Sequence, residues 1–174
     1  MQNNIFFVSV WVVCGIATIV AGLLATRSRR WMYVGRGAVG VLFLIGGALL
    51  HAINIATDGD YANFADPAHF GSVTDAWRAF VPPNQDLLIG LLAVFEATVG
   101  VLILSGGRRT QLGYAGVIAF YVALWMFGWF ETVWVILMLP PMVLLLRAER
   151  RAAAPPASEP PAGVDEKPLA NVGS

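Results

Sequence analysis

The distribution of charge along the chain constrains its fold more than any other feature. Four long stretches contain almost no charged or imidazole side chain: residues 5–26 have none, 37–57 have only His51, 87–105 have only Glu96, and 110–146 have only Glu131. Because an α-helix rises about 1.5 Å per residue, about 20 residues cross a hydrocarbon core of about 30 Å. Each of the first three stretches therefore predicts one membrane span.

The fourth stretch is too long for a single span. As one helix, residues 110–146 would measure about 55 Å, which is enough for two short crossings. Residues 128–131, with the sequence Gly-Trp-Phe-Glu, mark the turn between them, because a helix breaker, two interfacial aromatic residues and a carboxylate occur together there. We therefore predict an all-α integral membrane helical bundle with five transmembrane helices, at residues 5–26, 37–57, 87–105, 110–127 and 131–146.

Basic residues predict the orientation of these spans. The arginines near the predicted spans form three clusters: Arg27, Arg29, Arg30 and Arg36; Arg108 and Arg109; and Arg147, Arg150 and Arg151. Short loops rich in Arg and Lys stay cytoplasmic, and five spans place all three clusters on that side. The protein is then a multi-pass protein of the plasma or inner membrane, with its N-terminus outside, its C-terminus in the cytoplasm and an outer loop at residues 58–86.

The C-terminal region differs in composition from the rest. Residues 1–151 form the predicted transmembrane bundle, and residues 152–174 contain no aromatic residue and no apolar periodicity. Such a segment buries too little surface to offset the entropy lost on ordering. We predict that residues 152–174 are a disordered cytoplasmic tail.

The outer loop contains the pattern of a short helix. Ser72 and Asp75 have the spacing of a capping box, with Asp in place of the usual Glu or Gln. Apolar residues then recur at the spacing of one helical face: Val73, Ala76, Trp77 and Phe80. The Pro-Pro pair at 82–83 ends the pattern. We predict a helix on the outer surface of the bundle or among the lipid headgroups, with Trp77 as a candidate interface residue.

Glu96 is the most informative residue of the sequence. It lies about 15 Å along its span from Asp86, close to the predicted bilayer midplane. A carboxylate there costs a few kcal/mol, so it is expected to pair with a polar group or to carry a proton. His51, about 10 Å deep on the preceding span, is the candidate partner. The pair could relay protons or bind a quinone oxygen, but we favour one interhelical hydrogen bond worth about 1 kcal/mol.

The other ionisable residues give weaker signals. Glu131 lies at the predicted outer interface, where a carboxylate is tolerated, and is a second candidate interface residue. Only one of the two histidines, His51, lies within a predicted span, which excludes paired histidine ligation of haem. The acidic loop lacks the glycine and the distal glutamate of a calcium-binding loop. We predict no metal site, and no nucleic-acid-binding motif is present.

Three stretches resemble the DoxX-like family of small membrane proteins. Residues 37–47, with the sequence Gly-Ala-Val-Gly-Val-Leu-Phe-Leu-Ile-Gly-Gly, resemble its opening helix. Residues 95–106, which begin Phe-Glu-Ala-Thr, resemble its signature of an acid followed by a glycine-rich apolar run. Residues 107–113 resemble the basic turn into the next helix, and the resemblance as a whole covers residues 35–147.

This resemblance implies a four-helix bundle with a long first loop. Such bundles often serve as membrane partners in redox systems, including quinone-linked oxidoreductases. Only Glu96 is carried over as a signature position. The span at residues 5–26 is an additional N-terminal helix, and the chain has no cysteine pair and no cofactor ligand. The resemblance therefore does not imply autonomous redox catalysis.

Three functional hypotheses follow. The first is a non-catalytic membrane subunit or accessory protein that docks a redox partner, because the sequence contains no autonomous catalytic constellation and no catalytic residue or cofactor is predicted. The second is a quinone-interacting oxidoreductase subunit that uses His51 and Glu96. The third is a small transporter or proton channel with Glu96 in an aqueous path. All three place the protein in a lipid bilayer, with other membrane proteins or further copies of this chain as partners.

Overall fold

The computed structural model describes residues 2–154, with side chains from residue 5 onward. Within this range the chain is helical apart from short connections and one longer non-helical stretch at residues 57–70. The elements in chain order are α1 (Gln2–Leu24), α2 (Arg29–Val41), a π-helical segment (Leu42–Leu49), α3 (Leu50–Ala56), α4 (Gly71–Phe80), a 3-10 turn (Pro82–Asn84), α5 (Gln85–Leu104), α6 (Gly107–Leu124), a second 3-10 turn (Trp125–Phe127) and α7 (Trp129–Ala153).

Five helical segments are long and apolar enough to cross a membrane: Ile5–Leu24, Arg29–Ala56, Gly71–Leu104, Gly107–Phe127 and Trp129–Ala153. The predictions of an all-helical fold and of five candidate spans are thereby confirmed for the described part of the chain. The second segment begins at Arg29, well before residue 37. Ser28 starts it by accepting a hydrogen bond from the Arg30 backbone N–H at 3.3 Å, which is a typical N-cap.

The five long segments form a closed ring in chain order. Helix α1 packs against α2, the Arg29–Ala56 segment packs against α5, α5 packs against α6, and α6 packs against α7. Helix α7 then returns to α1. The N-terminal helix is therefore a member of the ring with a neighbour on each side, rather than an addition beside a four-helix unit.

The ring has a basic end and an acidic end, because the short connections alternate the direction of successive segments. At the basic end α1, α5 and α7 finish, α2 and α6 begin, and the arginines accumulate: Arg27, Arg29, Arg30, Arg108, Arg109, Arg150 and Arg151. At the acidic end the residues 57–84, which we call the cap segment, join α3 to α5 and carry Asp58, Asp60, Asp66 and Asp75. That the basic end faces the cytoplasm stays a prediction.

The basic half of the ring is closely packed. Gly22 of α1 lies so near Pro141 of α7 that a Cβ atom on Gly22 would be 2.5 Å from the Pro141 Cβ. Gly35 of α2 lies similarly close to α7, because a Cβ atom on Gly35 would be 2.5 Å from Leu145 Cδ2. Tyr114 is completely buried in this half. Small residues allow helix backbones to approach closely, and here they bring α1, α2 and α7 together.

The cap segment differs from its predicted form at the start of α4. This helix begins at Gly71 with Phe70 at the N-cap position and with no side-chain cap, so Ser72 lies inside the first turn and the predicted capping box is wrong. Trp77 is partly buried by contacts described below, whereas Phe80 is 65% exposed. Tertiary contacts of the helix, rather than a local cap, therefore hold it in place, as is usual for short helices.

Helix α7 extends beyond its predicted end. It continues through Pro140 and Pro141 to Ala153, so residues 152 and 153, which we assigned to the tail, are helical. Residues 155–174, which make up nearly all of the predicted tail, lie outside the described residues.

Candidate functional site

A cavity of about 440 Å³ lies in the acidic half of the ring, next to the cap segment. All five long segments contribute to its wall, which is mainly aromatic and aliphatic. Its aromatic residues are Trp11, Phe43, Tyr61, Phe64, Trp77, Phe120, Tyr121, Phe127, Phe130 and Trp134. The four candidate residues of the sequence analysis, His51, Glu96, Glu131 and Trp77, all line it. The structure thus brings together residues that the sequence placed on three spans and in a loop.

Glu96 faces the cavity from the middle of α5. It lies about 16 Å along the helix from Gln85 and is only 5% exposed. Its Oε2 is 3.5 Å from His51 Nε2, which exceeds the length of about 2.7–3.2 Å expected for a hydrogen bond, and within the described chain this oxygen has no hydrogen-bond partner. Gly47 makes room for the carboxylate, because a Cβ there would be 2.6 Å from Glu96 Cδ.

Two residues that the sequence analysis missed orient the His51 ring. Asn54 Nδ2 donates to the Tyr61 hydroxyl at 3.0 Å, and this hydroxyl lies 2.7 Å from His51 Nδ1. The Tyr61 oxygen accepts from Asn54, and when its own hydrogen is donated to His51 Nδ1 the ring proton lies on Nε2, facing Glu96. Burial raises the pKa of Tyr61, so this phenol remains a neutral donor at physiological pH.

The cap segment closes the cavity at the acidic end. Trp77 Nε1 donates to the Tyr61 carbonyl oxygen at 2.8 Å. The Trp77 ring also contacts the rings of Phe64 and Phe127, at centroid distances of 5.0 and 5.3 Å. Gln85, at the start of α5, accepts a hydrogen bond from the Tyr61 backbone N–H at 3.1 Å. These contacts hold the cap segment against the bundle, with Trp77 at their centre.

The π-helical segment Leu42–Leu49 forms part of the cavity wall. Its Gly46 carbonyl accepts a hydrogen bond from Trp11 Nε1 at 2.8 Å, which joins α1 to the wall. π-helical turns are rare and occur frequently at functional sites. The apolar sequence of this stretch did not predict it.

Glu131, which the sequence predicts at the outer interface, also lines the cavity. It occupies the first turn of α7, where a carboxylate interacts favourably with the helix N-terminus. Its Oε2 is buried and, within the described chain, has no hydrogen-bond partner. Glu96 and Glu131 thus both line the cavity, and each has one carboxylate oxygen whose hydrogen-bonding capacity is unused in the described chain.

A third buried carboxylate lies outside the cavity, in the basic half. Glu149 is 3% exposed and accepts two hydrogen bonds from Arg36, from Nε and from Nη2, each at 2.6 Å. The sequence predicts a basic loop at Arg36 and indicates no role for Glu149. This bidentate pair joins α2 to α7 and contributes no atom to the cavity wall.

The arrangement is suited to holding a largely apolar molecule with a polar end. The polar atoms that remain available to such a molecule include His51 Nε2 and the unpaired oxygens of Glu96 and Glu131. Within residues 2–154 no group of three or more His, Cys, Asp and Glu side chains is placed to hold a metal ion.

No protein family, curated protein or solved structure matches this chain. The resemblance to the DoxX-like family and the functions that it implies therefore stay predictions.

Proposed function

We propose that this chain is a multi-pass membrane protein that binds one lipophilic small molecule in its aromatic cavity. The cavity itself supports the proposal: it measures about 440 Å³, its wall is almost wholly apolar, and a few polar atoms are grouped around His51 and Glu96. Small-molecule sites in proteins combine these same features, with volumes of about 300–1,000 Å³.

The proposal also accounts for the position of the cavity. The five long apolar segments favour insertion in a bilayer, and the clustered arginines favour a cytoplasmic basic end. The cavity then lies in the outer half of the membrane, where a lipophilic molecule is concentrated by partition from water. Tyr61, Phe64 and Trp77 of the cap segment form the part of the cavity wall nearest the proposed outer aqueous phase.

The proposed class of ligand includes the quinone of the second sequence hypothesis. A transporter would use the same cavity, with release of the ligand as an additional step. The accessory-subunit hypothesis stays a prediction, and a heterologous complex recovered in mild detergent would support it independently.

Narrowing the cavity tests the proposal. Leu92 lines the cavity, and Leu92→Trp is expected to fill part of it. Leu91 is the matched control, because it is 57% exposed and lies on the outside of the bundle. The wild type and both variants are purified from membranes in mild detergent, and their solvent extracts are compared by mass spectrometry.

We expect one lipophilic compound, near one molecule per chain, in extracts of the wild type and of Leu91→Trp but not of Leu92→Trp. Identical extracts from all three folded proteins would contradict the proposal. Thermal unfolding of each variant establishes that a lost compound does not reflect a lost fold.

A further inference from the structure

We infer that the ligand of the aromatic cavity is a hydrophobic organic cation, held by Glu96 and Glu131 and by the faces of the surrounding rings. This inference rests on the proposed function and names the class of molecule bound. The cavity wall contains these two carboxylates and, among the described residues that form it, no Lys or Arg. With His51 as the basic side chain of this wall, acidic groups outnumber basic groups by two to one.

Both carboxylates have an oxygen that no protein group satisfies. Glu96 is 5% exposed, and the Oε2 atoms of Glu96 and Glu131 are buried without a hydrogen-bond partner in the described chain. Buried polar atoms are satisfied in the great majority of cases, so an exception facing a cavity points to a missing ligand. His51 Nε2 lies 3.5 Å from Glu96 Oε2, which is within ion-pair distance but longer than a typical hydrogen bond, so this oxygen is incompletely satisfied by the protein.

The three indole N–H groups of the wall are, by contrast, directed at protein oxygens. Trp11 Nε1 donates to the Gly46 carbonyl at 2.8 Å, and Trp77 Nε1 donates to the Tyr61 carbonyl at 2.8 Å. Trp134 Nε1 points at the Tyr121 hydroxyl at 3.4 Å. His51 Nε2 stays open as a donor, whereas one carboxylate oxygen of Glu96 and one of Glu131 have no hydrogen-bond partner in the described chain. A quinone, whose oxygens only accept hydrogen bonds, would satisfy His51 but neither carboxylate, whereas a ligand that brings positive charge matches both.

The aromatic rings favour a cation for a second, independent reason. Trp11 and Trp77 line the cavity with their N–H groups bonded elsewhere in the protein, and the faces of indole rings attract cations. The apolar wall disfavours a compact, strongly hydrated cation, which would lose its water shell on entry. The site is therefore suited to a bulky cation with dispersed charge, such as an aromatic phosphonium or a quaternary ammonium.

The test compares two probes of nearly the same shape and opposite charge. Tetraphenylphosphonium and tetraphenylborate are titrated into the full chain in lipid nanodiscs, and binding is measured by equilibrium dialysis. We expect saturable binding of the phosphonium near one per chain and no saturable binding of the borate. Glu96→Gln and Glu131→Gln are each expected to weaken phosphonium binding at least about tenfold. Asp86→Asn, which changes an exposed carboxylate outside the cavity wall, is the control and is expected to bind normally.

Equal binding of the two probes, or undiminished phosphonium binding by both glutamine variants, would overturn the inference. If either variant fails to fold, the comparison of the two probes on the wild type decides alone. Binding of a neutral naphthoquinone without binding of the phosphonium would also overturn it, but would leave the proposed function standing. Failure of all three probes on folded protein, together with an empty lipid extract, would overturn both.

Discussion

Two buried glutamates distinguish the halves of the ring. In the basic half, Glu149 is 3% exposed and accepts two hydrogen bonds from Arg36. In the acidic half, Glu96 is 5% exposed, and its Oε2 has no hydrogen-bond partner in the described chain. Nearly equal burial thus accompanies opposite degrees of pairing. The paired carboxylate joins two helices, whereas the unpaired one faces a cavity where a ligand can reach it.

The largest expected effect on the free energy of unfolding comes from replacing the buried glutamate of each half with leucine. Glu149→Leu leaves Arg36 without its partner and is expected to lower the free energy of unfolding by about 3–5 kcal/mol. Glu96→Leu removes an unpaired polar group from an apolar cavity and is expected to change that free energy by less than about 1 kcal/mol. Denaturant titration in detergent, followed by tryptophan fluorescence, measures both values. Equal losses would show that the two halves do not differ as described.

A double variant and an exposed pair serve as controls for this prediction. The double variant that carries both Arg36→Met and Glu149→Leu is expected to recover most of the stability lost in Glu149→Leu alone. Apolar residues often replace a buried ion pair without loss of stability. The Arg78–Asp66 pair, at 2.9 Å, is exposed, so Asp66→Asn should cost at most about 1 kcal/mol.

The next effect in size concerns packing of glycines in the two halves. Gly22→Ala places a Cβ against the Pro141 backbone and is expected to destabilise the fold by about 1–3 kcal/mol. Gly47→Ala meets only the end of the Glu96 side chain, which can move into the cavity, so a loss below about 1 kcal/mol is expected. Gly37, with open space around it, is the control, and Gly37→Ala should be neutral or slightly stabilising. A larger loss at Gly47 than at Gly22 would reverse the packing comparison.

The smallest effect is expected from removing one hydroxyl in each half. The Tyr114 hydroxyl is buried without a hydrogen-bond partner in the described chain, so Tyr114→Phe is expected to leave stability unchanged or to raise it by up to about 1 kcal/mol. The Tyr61 hydroxyl bonds to Asn54 and lies 2.7 Å from His51, so Tyr61→Phe should lower stability by about 1 kcal/mol. Thermal unfolding of the two variants tests this, and destabilisation by Tyr114→Phe alone would refute it.

The fold was predictable to the extent that membrane spans are recognisable by length and charge. The uncharged runs predicted five segments, and the structure has five of suitable length and apolarity. The start of the second segment was misplaced because arginines were taken as a loop signal, although arginine is also a good helix former. The π-helical segment was not predictable, since a run composed wholly of apolar residues has no face whose periodicity could reveal it.

The candidate site was predictable only in its ionisable members. Glu96 and His51 were recognisable because a titratable residue is conspicuous in an apolar run. Asn54 and Tyr61, which orient His51, carried a weaker signal: Asn54 follows His51 at helical spacing, and Tyr61 is one aromatic residue among many. Glu149 was missed because its arginine neighbours made it look like part of a solvated cluster, and only the tertiary contact with Arg36 distinguishes it.

The π-helical segment has a consequence for how the two halves could have diverged by mutation. Each hydrogen bond in Leu42–Leu49 spans one residue more than in an α-helix, so the segment shifts everything after it by about one residue, or roughly 100° of rotation. Deleting a single codon within it would remove the extra residue and restore α-helical hydrogen bonding, and these two changes cancel for the residues that follow. His51 would keep its direction toward Glu96, and Gly35 and Arg36 would keep their neighbours in the basic half. Such a deletion would alter only the wall formed by the segment itself, which includes Gly46 and Gly47.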